Sequence, residues 1–279
     1  MSIWNQLSPS IYHRLALGSA YGLTDVGLVR SSNEDNFLID AEIGLVAVGD
    51  GMGGHDGGEI ASCRALVSLR DFIVKSAREQ AAGKHRPMPD GGDPDATWQD
   101  NQMPAIMTVF EAMEFANAEV YQANVENEHG EGGGMGTTLT GFWHRVQGGP
   151  LIVFHVGDSR LYRYRKGELQ VLTRDQTLYQ QALEEGMTEN FPPRNLLTQA
   201  IGPTETIIPD VKPYAWEAGD LYLLCSDGLY GNTPHGAIAE ALAGANAQSL
   251  DACCAALIEL AKQYGSRDNI TAVLALCDA

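Results

Sequence analysis

The 279-residue sequence predicts an α+β fold in which antiparallel strands form a sandwich flanked by helices. The apolar patterns run in the order strands, two long helices, many strands, helices and a last strand. This order lacks the regular strand–helix alternation of a doubly wound parallel sheet. Acidic motifs also lie on both sides of the one long Pro-, Gly- and Asp-rich stretch. We therefore expect a single domain over 1–279, with its core at about 19–278.

The first half of the chain contains three short strand patterns followed by two long helical ones. After a weakly patterned segment at 1–18, strands are expected at 19–25, 37–39 and 44–48. Helices are predicted at 58–80 and 104–128, because apolar residues recur there every three or four positions. The stretch 83–100 between them is rich in Pro, Gly and Asp, which predicts a surface loop.

The second half is dominated by strands, predicted at 137–145, 151–156, 161–165, 169–172, 206–216, 221–226 and 270–276. Lys166-Gly167 has the composition of a tight hairpin turn. Helical patterns occur at 176–185, 234–243 and 249–264. The segment 186–203 is irregular and contains Pro192-Pro193, so we expect a mobile flap there.

Net charge and cysteine content restrict the partners and the compartment. The formal net charge of −18 disfavours nucleic acid and anionic membranes, which attract Lys and Arg. The five cysteines are odd in number and form no CxxC motif, which indicates buried free thiols rather than a disulfide framework or zinc site. No secretory signal or membrane-length apolar run is present. A cytoplasmic, monomeric protein is the expectation.

Carboxylates recur in polar turns beside apolar runs. Asp50, Asp158 and Asp227 each follow a run that is typical of a buried strand, and further acidic turns occur at 33–36 and 267–269. Several carboxylates gathered at one end of a sheet would repel one another unless a positive charge lay between them. Hard divalent cations prefer oxygen ligands of this kind. The pattern therefore predicts a metalloenzyme.

Six ordered motifs resemble those of the metal-dependent protein phosphatases, the PP2C-like or PPM family, in its bacterial form. They are Arg30-Ser31-Ser32-Asn33-Glu34-Asp35-Asn36, Asp50-Gly51-Met52-Gly53-Gly54-His55, Gly136-Thr137-Thr138, Gly157-Asp158-Ser159-Arg160, Ser226-Asp227-Gly228 and Arg267-Asp268-Asn269. The resemblance covers nearly the whole chain. It implies a four-layer αββα sandwich, two Mn²⁺ or Mg²⁺ ions with a possible third, weaker site, and hydrolysis of phosphoserine and phosphothreonine in proteins.

The resemblance also implies a role for each metal-site residue. Asp50 bridges two metals, and the carbonyl of Gly51 completes the shell of one. Glu34, partly through water, and Asp35 are ligands of the first pair. Asp227 and Asp268 hold the second metal, whereas Asn269 holds the loop.

Asp158 has two possible roles: it joins Asp227 at a third metal, or it pins the Ser159-Arg160 hairpin. In bacterial relatives a flap serine can bind that third ion, but this chain has no Ser between Asp175 and Gly202.

The same resemblance implies that Arg30 binds the substrate phosphate, and its guanidinium fork suits two phosphate oxygens. Many eukaryotic members carry a histidine, proposed as the general acid, where this chain has Met52. Thr137 and Thr138 are interpreted as strand packing residues, and His155 as a core or edge histidine.

The predicted activity is that of a metal-dependent protein serine/threonine phosphatase that opposes bacterial Ser/Thr kinases. Its partners would be phosphorylated proteins, including a kinase and the substrates of that kinase. Two alternatives remain open at this level: a non-catalytic, phosphoprotein-binding version of the fold, and a hydrolase of small phosphoesters.

Overall fold

The computed structural model describes residues 7–53, 57–81, 102–145 and 149–278. Along the chain the strands are β1 (His13–Leu15), β2 (Gly18–Asp25), β3 (Asn36–Asp40), β4 (Leu45–Gly49), β5 (Gly51–Met52), β6 (Gly136–Thr137), β7 (Leu139–Trp143), β8 (Leu151–Val156), β9 (Arg160–Arg165), β10 (Glu168–Val171), β11 (Asp210–Tyr214), β12 (Leu221–Cys225) and β13 (Ile270–Cys277). The helices are α1 (Gly57–Ala81), α2 (Met103–Glu126), α3 (Leu178–Glu184), α4 (Asp227–Tyr230), α5 (His235–Leu242) and α6 (Leu250–Gln263).

Two antiparallel sheets form the centre of the molecule. One has six strands in the order β1-β2-β13-β12-β9-β10, and the other has five in the order β11-β8-β7-β4-β3. A separate two-stranded ribbon, β5-β6, pairs Gly51 with Thr137 and Met52 with Gly136.

Three hydrophobic cores separate four layers. One core packs α1 and α2 against the five-stranded sheet, the second lies between the sheets, and the third packs α5 and α6 against the six-stranded sheet. Strand β12 shows why: Leu221, Leu223 and Cys225 face the helices, while Tyr222 and Leu224 face the other sheet. A strand buried on both faces reads as a continuous apolar run rather than an alternating one. The predicted αββα sandwich is confirmed.

Most predicted elements are present, and the differences have local causes. The strand predicted at 137–145 is interrupted at Thr138, whose N–H donates to the carbonyl of Asp50 instead of continuing a ladder. The strand predicted at 206–216 is confined to β11. Neither β1 nor the single-turn helix α4 was expected. The predicted loop at 83–100, between α1 and α2, lies outside the described residues.

Two smaller predictions are also confirmed. Lys166 and Gly167 form the β9–β10 hairpin turn with φ values of +51° and +89°, and all five cysteines are free and buried. Among the helices of the described ranges, none combines the length and apolar character needed to cross a membrane.

Candidate metal centre

Strand register brings the predicted acidic turns to one edge of both sheets. In the five-stranded sheet Asn36 pairs with Gly49, so the turn before β3 lies beside the turn after β4. In the six-stranded sheet Cys225 pairs with Ala272, so Asp227 lies beside the turn that precedes β13. The acidic motifs at 33–36, 50, 227 and 268 therefore meet although they are far apart in sequence.

The main chain of Asp50 is held on both sides by two threonines. Its N–H donates to Thr138 Oγ1 at 2.9 Å, and its carbonyl accepts from the Thr138 N–H at 2.9 Å and from the Thr137 hydroxyl at 2.9 Å. The interpretation of Thr137 and Thr138 as packing residues was therefore incomplete, because both fix the position of Asp50. The Gly-Thr-Thr motif itself was the available signal.

Glu34, Gly51 and Gly58 pack so closely that side chains on the glycines would collide. A Cβ at Gly51 would lie 2.2 Å from the carbonyl oxygen of Gly58 and 2.6 Å from that of Glu34. A Cβ at Gly58 would lie 2.2 Å from Glu34 Oε2. Gly58 is in the first turn of α1, where the helix dipole favours a carboxylate. Glycine at these positions thus lets Glu34 approach the Asp50–Gly51 turn.

Asp35 is buried and is held from the opposite sheet. Its Oδ2 accepts hydrogen bonds from Ser226 Oγ at 2.6 Å and Thr271 Oγ1 at 2.7 Å. Its Oδ1 is buried and has no hydrogen-bond partner among the described residues. Burial raises the pKa of Asp35 above its ordinary value, the two hydroxyl groups partly offset this, and the charge of Asp227 raises it further. Sequence reasoning did not identify Ser226 and Thr271 as supports of Asp35.

Asn269 connects the two acidic turns, as the sequence predicted. Its Oδ1 accepts the N–H of Glu34 at 2.9 Å, and its Nδ2 donates to the carbonyls of Val26 and Ser32 at 3.0 and 2.9 Å. The side chain is thereby fully used in holding the loop that carries Glu34 and Asp35.

The carboxyl group of Asp50 lies within the electrostatic influence of four others. Removal from water raises its pKa well above the ordinary value, and the charges of Asp35, Asp227, Asp158 and Asp268 raise it further. Several negative charges confined in a poorly hydrated space disfavour ionisation of each member. These charge interactions indicate that the five aspartates lie close to one another.

Asp158 directly follows Gly157, whose main chain is hydrogen-bonded to Gln176. It is buried, and this burial, with the charges of Asp227 and Asp175, raises its pKa to about 8. The neighbouring turn is held by other groups: the hydroxyls of Ser159 and Thr138 share a hydrogen bond of 2.7 Å, and Arg160 pairs with Asp175. The side chains of Thr138 and Asp175 therefore help to hold the Ser159-Arg160 hairpin in place, in addition to any contribution from Asp158.

Arg30 and Asp268 form an ion pair at the solvent-exposed side of the cluster. Arg30 Nη2 donates to Asp268 Oδ2 at 2.7 Å, with side-chain exposures of 51% and 37%. The hydrogen bond with Asp268 is the main cause of the raised pKa of Arg30, and the charges of Glu34 and Asp50 add to it. The guanidinium group is thus beside the cluster and accessible from solvent.

In the described part of the chain, no three His, Cys, Asp or Glu side chains are already arranged to hold a metal ion. The Asp268 carboxylate, for example, is bonded to Arg30. The chemistry of the cluster nonetheless fits a hard divalent cation. Asp35 Oδ1 is buried without a hydrogen-bond partner in the described ranges, and the carboxyl groups around Asp50 repel one another. A cation would satisfy both features.

Two further residues lie as the sequence suggested. His155 is buried in β8, where its Nδ1 lies 2.8 Å from the hydroxyl of Thr140 and its Nε2 3.0 Å from the carbonyl of Arg174. Met52 is half-buried in β5 beside Gly136. The last two residues of its motif, Gly54 and His55, lie outside the described residues.

Comparisons with known proteins agree with this architecture. The sequence profile of the family described as protein phosphatase 2C matches residues 29–275. The serine/threonine protein phosphatase PstP of Mycobacterium tuberculosis is 34% identical over 257 residues, a match that covers 90% of this chain and 43% of the relative, so the chain spans less than half of that relative's length. The protein phosphatase PhpP of Streptococcus pneumoniae is 30% identical over 264 residues, which cover 90% of this chain and 94% of the relative.

A solved structure, the catalytic domain of the serine threonine protein phosphatase PstP in complex with two manganese ions, superposes with a TM-score of 0.67. It is 32% identical, and the match covers 93% of this chain and 98% of that one. The family match spans 29–275, a range that contains the acidic edge and all strands of the two sheets except β1, β2 and the end of β13. The chain therefore belongs to the protein phosphatase 2C family.

Proposed function

We propose that this chain hydrolyses phosphoserine and phosphothreonine in proteins with the help of two divalent cations, Mn²⁺ or Mg²⁺. The observation that carries the proposal is the meeting of the acidic turns at one edge of the two sheets, where the charges of Asp35, Asp158, Asp227 and Asp268 act on Asp50. The two manganese ions bound by the PstP catalytic domain support the same number of cations here. We assign the ligands to Glu34, Asp35, Asp50, the carbonyl of Gly51, Asp227 and Asp268.

A third, weaker cation would bind between Asp158 and Asp227. The charge of Asp227 raises the pKa of Asp158, which supports their proximity, and burial leaves few alternative partners for the Asp158 carboxyl group. The flap has no serine to contribute, so water or another flap group would complete this site.

Phosphate monoesters hydrolyse so slowly that catalysis must lower the barrier by about 20 kcal/mol. Bound divalent cations supply an activated water nucleophile and offset charge on the phosphoryl group. The chain's own residues determine where that chemistry takes place. Thr137 and Thr138 fix the main chain of Asp50, and Ser226 and Thr271 orient Asp35.

Arg30 binds the phosphoryl oxygens in this proposal. Its half-exposed guanidinium group lies beside Asp268 and within the influence of Glu34 and Asp50, so a phosphate held by it would sit next to the carboxylate cluster. A planar guanidinium fork matches two phosphate oxygens. Because Met52 has no ionisable proton, we infer that the leaving seryl or threonyl oxygen would take its proton from another source, either a water held at the cations or a group of the substrate.

The family relationship suggests the partners and setting. The substrates would be phosphorylated proteins, including a bacterial Ser/Thr kinase and the proteins it modifies, as for a phosphatase that reverses kinase signalling. We propose a monomer that acts as one catalytic domain over 1–279. The five buried free cysteines support a reducing, cytoplasmic compartment.

One assay tests the proposal. Release of phosphate is measured across a manganese titration from a phosphothreonine peptide and, in separate reactions, from ATP. We expect hydrolysis of the peptide that rises with Mn²⁺ and disappears with EDTA, and little release from ATP. Full activity after thorough chelation would reject a metal-dependent mechanism, and preference for ATP would indicate a hydrolase of nucleotides or other small phosphate compounds.

A further inference from the structure

The flap comprises residues 174–203, that is, α3 and its flanking residues together with the irregular segment 186–203, and it is attached at both ends to turns of the carboxylate cluster. At its first end, the N–H of Gly157 donates to Gln176 Oε1 at 2.9 Å, and the N–H of Gln176 donates to the Gly157 carbonyl at 2.7 Å. At its last end, Ile201 and Thr137 exchange two backbone hydrogen bonds of 2.9 and 3.0 Å. Gly157 precedes Asp158, and Thr137 bonds to Asp50. Each end of the flap is therefore hydrogen-bonded to a residue that adjoins an aspartate of the cluster.

Arg160 reinforces the first of these attachments with every part of its guanidinium group. Nε and Nη2 donate to the two carboxylate oxygens of Asp175 at 2.8 and 2.6 Å, and Nη1 donates to the Tyr162 hydroxyl at 3.0 Å. The guanidinium carbon lies 3.7 Å from the centroid of the Tyr230 ring. The Tyr230 hydroxyl in turn donates to the carbonyl of Asp158 at 2.8 Å.

This arrangement joins three segments through one side chain. Asp175 begins the flap, Tyr230 belongs to the α4 turn that starts at Asp227, and Arg160 itself follows Asp158. The Arg160 and Asp175 side chains are only 23% and 14% exposed, so their ion pair is shielded from solvent more than a surface pair. Two carboxylate contacts and a stacked ring require the planar guanidinium group, which Lys cannot replace.

We propose that Arg160 is a positioning residue that fixes the root of the flap relative to the carboxylate cluster and thereby sets the affinity for phosphorylated protein segments. This inference rests on the proposed function. The flap carries exposed apolar side chains, at Leu178, Met187 and Leu196, that can contact residues flanking a phosphoserine or phosphothreonine. A phosphoester without flanking residues does not use these contacts.

The test compares Arg160→Lys with Arg163→Lys, a change of the same chemistry on the same strand. Arg163 bonds to Gln170 on the neighbouring strand β10, away from the flap root. Gln176→Met removes the side-chain acceptor of the other attachment and provides a second, independent variant. Thermal unfolding of all three proteins establishes that each is folded.

Two readouts are measured for each variant: kinetics with a phosphothreonine peptide and with p-nitrophenyl phosphate, and hydrogen exchange of flap amides in EDTA. For Arg160→Lys and Gln176→Met we expect faster exchange across the flap and a peptide KM raised by about tenfold, with kcat largely retained, because binding rather than chemistry is weakened. With p-nitrophenyl phosphate as substrate, the kcat and KM of Arg160→Lys and Gln176→Met should match those of Arg163→Lys.

The results separate this inference from the proposed function. If the wild-type chain hydrolyses neither substrate, the proposed function fails and the positioning role fails with it. If the wild-type chain is active but Arg160→Lys lowers peptide and p-nitrophenyl phosphate hydrolysis equally, Arg160 acts on the chemistry or on general stability and the inference is wrong. Unchanged flap exchange in Arg160→Lys would also overturn it.

Discussion

Thr138 and Asp50 bind each other through two reciprocal hydrogen bonds across 88 positions of sequence. The N–H of Asp50 donates to Thr138 Oγ1, and the N–H of Thr138 donates to the carbonyl of Asp50, each at 2.9 Å. The Thr138 hydroxyl also shares a bond with Ser159, beside Asp158. One buried hydroxyl therefore links the turns that carry two aspartates of the cluster.

Replacement of Thr138 by Val should impair both activity and stability. The change leaves the partly buried N–H of Asp50 and the buried hydroxyl of Ser159 without this partner, at a cost of about 1–3 kcal/mol in the free energy of unfolding. A shifted Asp50 should lower kcat by at least about tenfold. Thr138→Ser, which keeps the hydroxyl, is the control and should retain most activity. Equal loss in both variants would show that the methyl group, not the hydroxyl, matters.

Asp50→Asn should separate activity from stability. We expect turnover to fall by orders of magnitude, because the proposed bridging ligand is lost. The unfolding temperature in EDTA at pH 8 should rise, because one member of a mutually repelling set is neutralised. Asp71→Asn, at an exposed position of α1, is the matched control and should change neither property. Near-normal turnover of Asp50→Asn would remove this residue from the mechanism.

Thiol reagents should leave the enzyme active. All five cysteines are buried, and burial raises the pKa of Cys253 to about 11, so little thiolate is present at neutral pH. Native protein treated with iodoacetamide should keep its activity and show no labelling by mass spectrometry. The same protein unfolded in guanidinium chloride should be labelled at five sites. Rapid loss of activity in the native protein would contradict the assignment of these thiols to the core.

Local patterns predicted an antiparallel sandwich flanked by helices, and the family resemblance added its four-layer order. Strands such as β8 and β12 are short apolar runs that end in polar turns, and α1 and α2 carry long helical stripes. The aspartates of the site were recognisable for the same reason, since Asp50, Asp158 and Asp227 directly follow such runs. Residue type and position relative to a strand end are both local properties of the sequence.

The supports of these aspartates could not be predicted, because they depend on contacts between distant segments. Ser226 and Thr271 bond to Asp35 across 191 and 236 positions, and Arg30 reaches Asp268 across 238. Hydroxyl residues in strands are equally typical of ordinary packing. The interruption of the strand predicted at 137–145 has the same origin, since Thr138 gives its N–H to Asp50.

The acidic cluster should make the metal-free protein less stable as pH rises. Burial and neighbouring charges raise the pKa of Asp158 from 3.8 to about 8, so the folded state binds this proton more tightly than the unfolded state. A carboxyl group whose pKa is raised on folding stabilises the folded state fully at pH values below its pKa in the unfolded state. This stabilisation is lost as the pH rises through its pKa in the folded state. Buried His155 acts in the opposite direction: its pKa is lowered from 6.5 to about 4, so its contribution grows as pH rises from 4 to 6.5.

Above about pH 6.5 the contribution of His155 is nearly complete. The carboxyl groups therefore determine whether the free energy of unfolding rises or falls there. In EDTA, the free energy of unfolding should fall between pH 6.5 and 8, by on the order of 2 kcal/mol for Asp158 alone at about 1.36 kcal/mol per pKa unit. Asp158→Asn should flatten this slope, whereas Asp71→Asn should not. Since a cation favours the ionised carboxylates, Mn²⁺ should raise the unfolding temperature more at pH 8 than at pH 6.5. Urea titrations at these pH values measure the slope, and a metal-free stability that increases over this interval would show that the carboxyl groups are not clustered.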